Sequence, residues 1–442
     1  MPTTTYWAPN QASIAQVVTY TFTVPNSIGN TYNATINGKT VTYSSVSGDT
    51  AALAATGLFN LLNVSTSIAP ELTEITFANP SSGKITATAK TAGTPFANVS
   101  GTSAGLVLST GNGLSGGITT ANTTANASPS DVNDPQNWLR VTAPAPGVRQ
   151  LPQNSDDIII ANSSVPLLWN LGQLASVQFN TYTRWQSFTA TIGLPDINPN
   201  GYTEWRETYF KFSGPQGSVP SGGLAMVLGQ GNTGSGPSRE RYNVGSQPVT
   251  LTILAAGSTE DEFGVRFLGV HTTNTFTLLG NVSLGIAVYP GETSNLSSCT
   301  VDGGALLQIG EGVTWTASST LTVFGGTLVL HAAPATLNLN NGAQATIAED
   351  ALTWATVTLR GGSSLVCLAG GTITTLTLET SSSLDKSNDA RALTITNSTI
   401  DGDTCFINDP LNAITWTNAT SVKQQVASGP FRFTGTKTVK VT

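Results

Sequence analysis

Cleavage of a glycosidic bond needs two carboxyl groups flanking it, one to protonate the leaving oxygen and one to act as base or nucleophile. The sequence offers such acids at Asp156/Asp157, Glu204/Glu207, Glu260 to Glu262, Glu349/Asp350 and Asp401/Asp403. Only Glu204 and Glu207 have suitable company: Tyr202, Trp205 and Tyr209 lie beside them, Trp185 stands upstream, and aromatic faces stack on sugars. Arg206 sits between the two acids and argues instead for salt-bridged carboxylates. The expectation is therefore a protein without catalytic residues. Were it to cleave glycans, Glu204 and Glu207 would carry the reaction. Trp185, Tyr202, Trp205 and Tyr209 are the expected glycan or partner contacts.

Asp401-Gly402-Asp403 and Glu260-Asp261-Glu262 supply hard oxygen ligands of the kind calcium takes, but their spacing matches no EF-hand or repeat-in-toxin loop. Neither a metal nor a cofactor is expected; Asp401 and Asp403 are the residues that would ligate one. His271 and His331 have no carboxylate, cysteine or second histidine at ligand spacing, and read as turn and strand-end residues. Cys299, Cys367 and Cys405 are odd in number and widely spaced, so free buried thiols are expected. Gly229 to Gly234 spells a G-x-G-x-x-G, yet Ser-Gly-Pro follows where a phosphate site needs a helix.

Charge narrows the function classes further. Charged residues make up 10% of the 442-residue chain, against about 25% in average soluble proteins. A net charge of −7 without any basic run argues against nucleic-acid binding. No apolar stretch approaches the roughly 20 residues that cross a bilayer. Met1 to Trp7 lacks the basic-then-apolar pattern of a signal peptide, so release by lysis, particle assembly or a non-classical route is expected.

The elements that would position these residues are written in a repeated phrase. Thr327 to Leu330, Ala335 to Leu339, Ala345 to Ile347, Ala355 to Leu359, Ser364 to Leu368 and Thr375 to Leu378 alternate apolar and polar residues between Gly-Gly, Asn-Gly or Ser/Thr turns. Two interleaved strand families, each recurring at about 19 residues, predict a coil whose faces return once per turn. Leu328, Leu330, Leu337, Leu339, Val357, Leu359, Leu376 and Leu378 are the predicted inward positions.

Toward the N-terminus, Thr31 to Ile36 and Lys39 to Tyr43 flank Asn37-Gly38, the pair preferred in a type I′ hairpin. Asp49 is the predicted cap of a helix whose apolar stripe is Ala51, Ala54, Ala55, Leu58, Leu61 and Leu62. Thr35 to Tyr43, Gly48 to Asn63 and Ile85 to Phe96 in this order resemble a module of phage tail and other virion proteins and of bacterial surface proteins. The resemblance implies structural attachment without catalysis. Asn137-Trp138, a Pro/Gly segment and Asp156-Asp157-Ile158-Ile159-Ile160 are similar to the opening of secreted or particle-bound β-solenoids, with the Trp plugging the first rung and Leu174 to Phe179 as an early rung.

The expected architecture is mainly β: an α+β attachment module over 1–120, a linker over 121–135, and a parallel β-helix or β-solenoid over 136–442. An aromatic-rich excursion is expected at about 182–212 and a cap near Phe431 to Val441. The function these features imply is a structural, adhesive component of a virion (tail fibre, tailspike or capsid-attached protein) or of a cell-surface fibre. Expected partners are further copies of itself as a trimer or filament, other virion or surface proteins, and glycans. A polysaccharide depolymerase or glycan-binding protein on the same scaffold is the competing expectation.

Overall fold

A computed structural model describes residues 3–23, 31–65, 69–81, 83–99, 118–142, 146–199, 201–212, 223–255, 263–401, 404–418, 421–423 and 432–434. The chain is mainly β, and most of it winds into a parallel β-solenoid of about 11 turns. A 16-stranded and an 11-stranded sheet enclose its lumen. From Thr181–Trp185 onward every strand pairs in parallel with the strand one rung later. Side chains of period two therefore fall into columns, and alternate columns face the lumen. All eight predicted inward residues are fully buried.

The late rungs have a third face that the two-family spacing does not reveal. In Leu352–Leu359, residues 352–354 pair with 371–373 and residues 356–359 with 375–378, leaving Ala355 at the bend. The bend splits one strand into two faces. The period of about 19 is likewise local: the separation between residues paired in the solenoid runs from 16 between Thr320 and Thr336 to 44 between Thr181 and Ala225 and 45 between Trp185 and Gln230. Turns absorb the difference while strand register holds.

The small module has its own core, in which Ala54, Ala55, Leu58 and Leu62 of the helix Ala51–Ser65 pack with Tyr20, Tyr32, Ile36, Ile85 and Ala87. Leu61, placed on the apolar stripe by spacing, is 40% exposed. The turn at Asn37-Gly38 has φ of 50° and 81°, as a type I′ hairpin requires. Thr50, rather than Asp49, caps the helix, accepting from the Leu53 N–H at 3.2 Å. Asp49 instead ties the preceding loop, accepting from the Val46 N–H and the Tyr43 hydroxyl.

Chain order and spatial order differ at the solenoid's start. Thr4–Trp7 lies in the large sheet, parallel to Asp157–Ile160 on one side and antiparallel to Trp138–Val141 on the other. The small module is thus looped out between strands of one sheet, and Ile118–Thr124, which runs across the predicted boundary between module and linker, is a strand paired with Val17–Phe22. Trp138 is fully buried and meets Trp7 edge-on at 5.0 Å, so the first rung holds two indoles. Leu174 to Phe179 forms turns and not a rung, closed by Ala175 N–H to Gly172 O and Val177 N–H to Leu174 O. Near the other end, Arg432–Thr434 pairs in parallel with Phe406–Asn408. The rest of the predicted cap lies outside the described residues.

Candidate functional site

The 44-residue rung carries the aromatic excursion. After Trp185 the chain crosses to the smaller sheet, where Ile192 bridges both Leu167 and Glu240. It returns as Phe210–Lys211, paired with Tyr242–Asn243. Residues 193–209 therefore leave and rejoin beside a single strand, Glu240–Asn243. The loop is folded on itself, with Asn198 N–H donating to Tyr202 O at 2.8 Å and Glu204 N–H to Asp196 O at 2.7 Å.

Alternation on Glu240–Asn243 decides which side each neighbour faces. Glu240 and Tyr242 point into the lumen; Arg241, between them, points out beneath the loop, yet its side chain is fully covered. Asp196 accepts from the Arg241 guanidinium on both oxygens, and one of them also accepts from Arg266 at 2.7 Å. Arg266 also lies 4.0 Å from the centroid of the Tyr289 ring. Tyr209, buried, donates to Glu292. Its hydroxyl pKa is pushed far up by burial, with the Glu292 charge adding to it. This cluster clamps the loop to the solenoid wall.

Glu204 and Glu207 do not form a pair of free acids. Arg206 Nε donates to Glu204 at 2.8 Å, and the same guanidinium reaches Glu74 of the small module at 2.9 Å. Arg206 is also flanked by the Trp169 and Trp205 rings, 4.8 and 5.0 Å from their centroids. Glu207 is held by Lys211. Arg206 thus joins excursion to module through two carboxylates and two indoles. Each predicted acid already faces its own cation.

The four expected contact aromatics diverge. Trp185 and Tyr202 are 39% and 41% exposed, Trp205 is half-buried, and Tyr209 is inside the clamp. Trp185 ends a strand of the larger sheet, whereas the other three belong to the loop beside the smaller one. Phe210, Phe212 and Tyr182 face the lumen, where Phe212 stacks on Tyr182 at 5.5 Å. Half of the excursion's eight aromatic residues, Tyr182, Phe188, Phe210 and Phe212, are therefore core.

Asp401 ends the strand Leu393–Asp401, opposite Glu379 and Lys423, and its carbonyl accepts from the Cys405 thiol. Asp403 and Glu260 to Glu262 lie outside the described residues. Among the described residues no group of three or more His, Cys, Asp or Glu is arranged around a metal position. Cys299, Cys367 and Cys405 are free and buried, and burial pushes the first two thiols up to about 12. Asp156 serves the fold: it receives a two-pronged contact from Arg140 and a 2.8 Å hydrogen bond from the Thr5 hydroxyl.

The Asp196 clamp has a pH signature. Burial pushes its pKa up, but the hydrogen bonds and charges of Arg241 and Arg266 outweigh this and leave it below the ordinary 3.8. Stability from this link is complete above the ordinary carboxylate value and is lost as pH falls through the lowered one. Melting temperature is expected to drop more steeply between about pH 4 and pH 2 in the native chain than in Asp196→Asn. Parallel melting curves for the two proteins would remove the clamp's contribution.

No protein-family model matches this sequence, and no match is found among curated proteins or among solved structures.

Proposed function

We propose that this chain is a non-enzymatic structural and adhesive component of a virion or a cell-surface fibre, located on the particle or the outer surface. The observation that carries the reading is the use of charge: in the excursion, Glu204, Glu207 and Asp196 are all engaged by Arg206, Lys211, Arg241 and Arg266. Charge here fastens a loop to a wall. A parallel solenoid supplies reach and rigidity, since each rung is buried by its neighbours. Its ends must be capped or paired to avoid open edge association, so partners are further copies of the chain, as a trimer or filament, and other proteins of the same particle or surface.

A second reading, a glycan-binding or glycan-cleaving protein, is favoured by the exposed rings of Trp185 and Tyr202. Mass measurement in solution and electron micrographs of the purified chain separate the two. The structural reading expects oligomers or fibres and no release of reducing ends from polysaccharides. A monomer that hydrolyses a polysaccharide, and stops doing so in Glu204→Gln, would reverse the order of the readings.

A further inference from the structure

The outward side of the larger sheet is chemically unlike that of the smaller one, and beyond the bend its column Thr353, Thr372, Thr394 and Thr415 is threonine as well. Following the pairing from Thr181–Trp185 through Leu393–Asp401, one column reads Thr181, Ala225, Thr250, Thr275, Ser298, Thr320, Thr336, Thr356, Thr375 and Asn397. The column two residues further along each strand reads Thr183, Val227, Thr252, Thr277, Thr300, Thr322, Asn338, Thr358, Thr377 and Thr399. Threonine fills seven of ten places in the first and eight of ten in the second, and no place is charged. All are at least partly exposed except Thr358, which is buried among its neighbours.

Strand propensity does not account for this. The outward columns of the smaller sheet, from Ser283–Ile286 through Phe406–Asn408, meet the same backbone demands. They read Ser283, Leu306, Thr327, Gln344, Ser364, Ser383, Phe406 and Gly285, Gln308, Val329, Thr346, Val366, Asp385, Asn408. Two of those fourteen are threonine. The array also persists across rungs whose lengths differ widely, so it does not follow from copying one repeat.

Its spacing points to a ligand. Neighbouring strands are about 4.8 Å apart, and residues two apart on a strand about 6.7 Å, so the Cβ positions form a rectangular lattice about 43 Å long, within which the Thr275 hydroxyl turns toward that of Thr250 at 3.5 Å. Water oxygens joined tetrahedrally by hydrogen bonds of about 2.75 Å lie about 4.5 Å apart as second neighbours and repeat about every 7.3 Å along the hexagonal axis of ice. The two lattices agree within about 10% in both directions. Threonine's hydroxyl can donate and accept, and its branched Cβ holds χ1 stiffly, so the array is ordered before it meets a surface. Its methyl groups favour the release of disordered water. A charged side chain would instead orient its own hydration shell, and the two columns have none.

We infer that this face binds ice, with the two threonine columns matched to the crystal's oxygen lattice. The inference goes beyond a fibre or virion role and concerns the isolated chain, whatever assembly carries it. The purified full chain is expected to slow ice recrystallisation and to separate freezing from melting temperature. Thr277→Tyr and Thr322→Tyr, in the middle of the array, should each raise the concentration needed by tenfold or more. Thr346→Tyr, on the smaller sheet, should change it less than twofold. Circular dichroism melting checks that each variant folds; where tyrosine unfolds the sheet, the pair Thr277→Ala with Thr322→Ala replaces it, with the same tenfold loss expected. A native chain no more effective than an inert protein of equal size would overturn the inference. So would full activity in the folded array variants, or array-dependent binding to crystalline cellulose or chitin without any effect on ice.

Discussion

Replacing Glu240 by leucine is expected to destabilise the solenoid by about 3–5 kcal/mol, because it leaves an arginine buried without its counter-charge. Arg184 reaches into the lumen from the larger sheet and Glu240 from the smaller, and both side chains are fully buried. Arg184 Nε donates to Glu240 at 2.9 Å and the same guanidinium to the Ala255 carbonyl at 2.9 Å. The Tyr242 hydroxyl donates to Glu240 at 2.7 Å, and that of Tyr182 to Tyr242 at 3.2 Å. Burial pushes both tyrosine hydroxyls upward, so they stay protonated and serve as donors. A leucine removes the acceptor on which this chain of donors converges. Arg184→Met together with Glu240→Leu is expected to recover most of the loss, since a well-packed apolar pair often equals or exceeds a buried ion pair. Urea unfolding of the two variants measures it. A single leucine variant within about 1 kcal/mol of the native chain would mean that the pair is not the lumen's electrostatic lock.

Trp7→Ala should cost about 3–5 kcal/mol, the range for emptying a buried aromatic site. Trp7 is 2% exposed, packs on Trp138 and donates its indole N–H to the Val165 carbonyl at 3.1 Å. Its strand closes the first rung, so the damage has a place. Solenoid rungs are stabilised by their nearest neighbours, and amide exchange should therefore quicken at Asp157–Ile160 and stay unchanged at Leu352–Leu359, nearly 200 residues downstream by chain number. Equal loss of protection in both segments would contradict a rung-by-rung account. No change in either would show that the strand adds little to the first rung.

Much of the fold was legible because solenoid rungs are local. Inward positions such as Leu337 and Leu376 follow from alternation, and the Asn37-Gly38 turn follows from the positive φ that only a few residues tolerate. The helix follows from its apolar spacing, but its cap is Thr50 and not Asp49, because both are capping residues and only the surrounding loop chooses between them. The third face was not legible, since a bend such as that at Ala355 interrupts pairing without interrupting the alternating pattern.

The candidate site shows the same division more sharply. Tyr202, Glu204, Trp205, Arg206 and Glu207 are neighbours in sequence, and their composition marked the excursion. Their partners are not neighbours: Glu74 stands 132 positions from Arg206, and Glu292 stands 83 from Tyr209. Glu240 and Arg241 carried a signal that was there to be read, because adjacent strand residues face opposite ways and one of the two had to enter the lumen.

By itself, the sequence determined the class of fold, the direction of side chains along two of the late strand families and the scarcity of free charge, since these depend on period and composition. Only the tertiary structure decided that Thr4–Trp7 closes the first rung, that Glu204 and Glu207 are each held by a cation, and that scattered threonines line up in two columns. Those facts depend on which rung lies beside which. Rungs of 16 to 45 residues hide that neighbour relation from any fixed spacing.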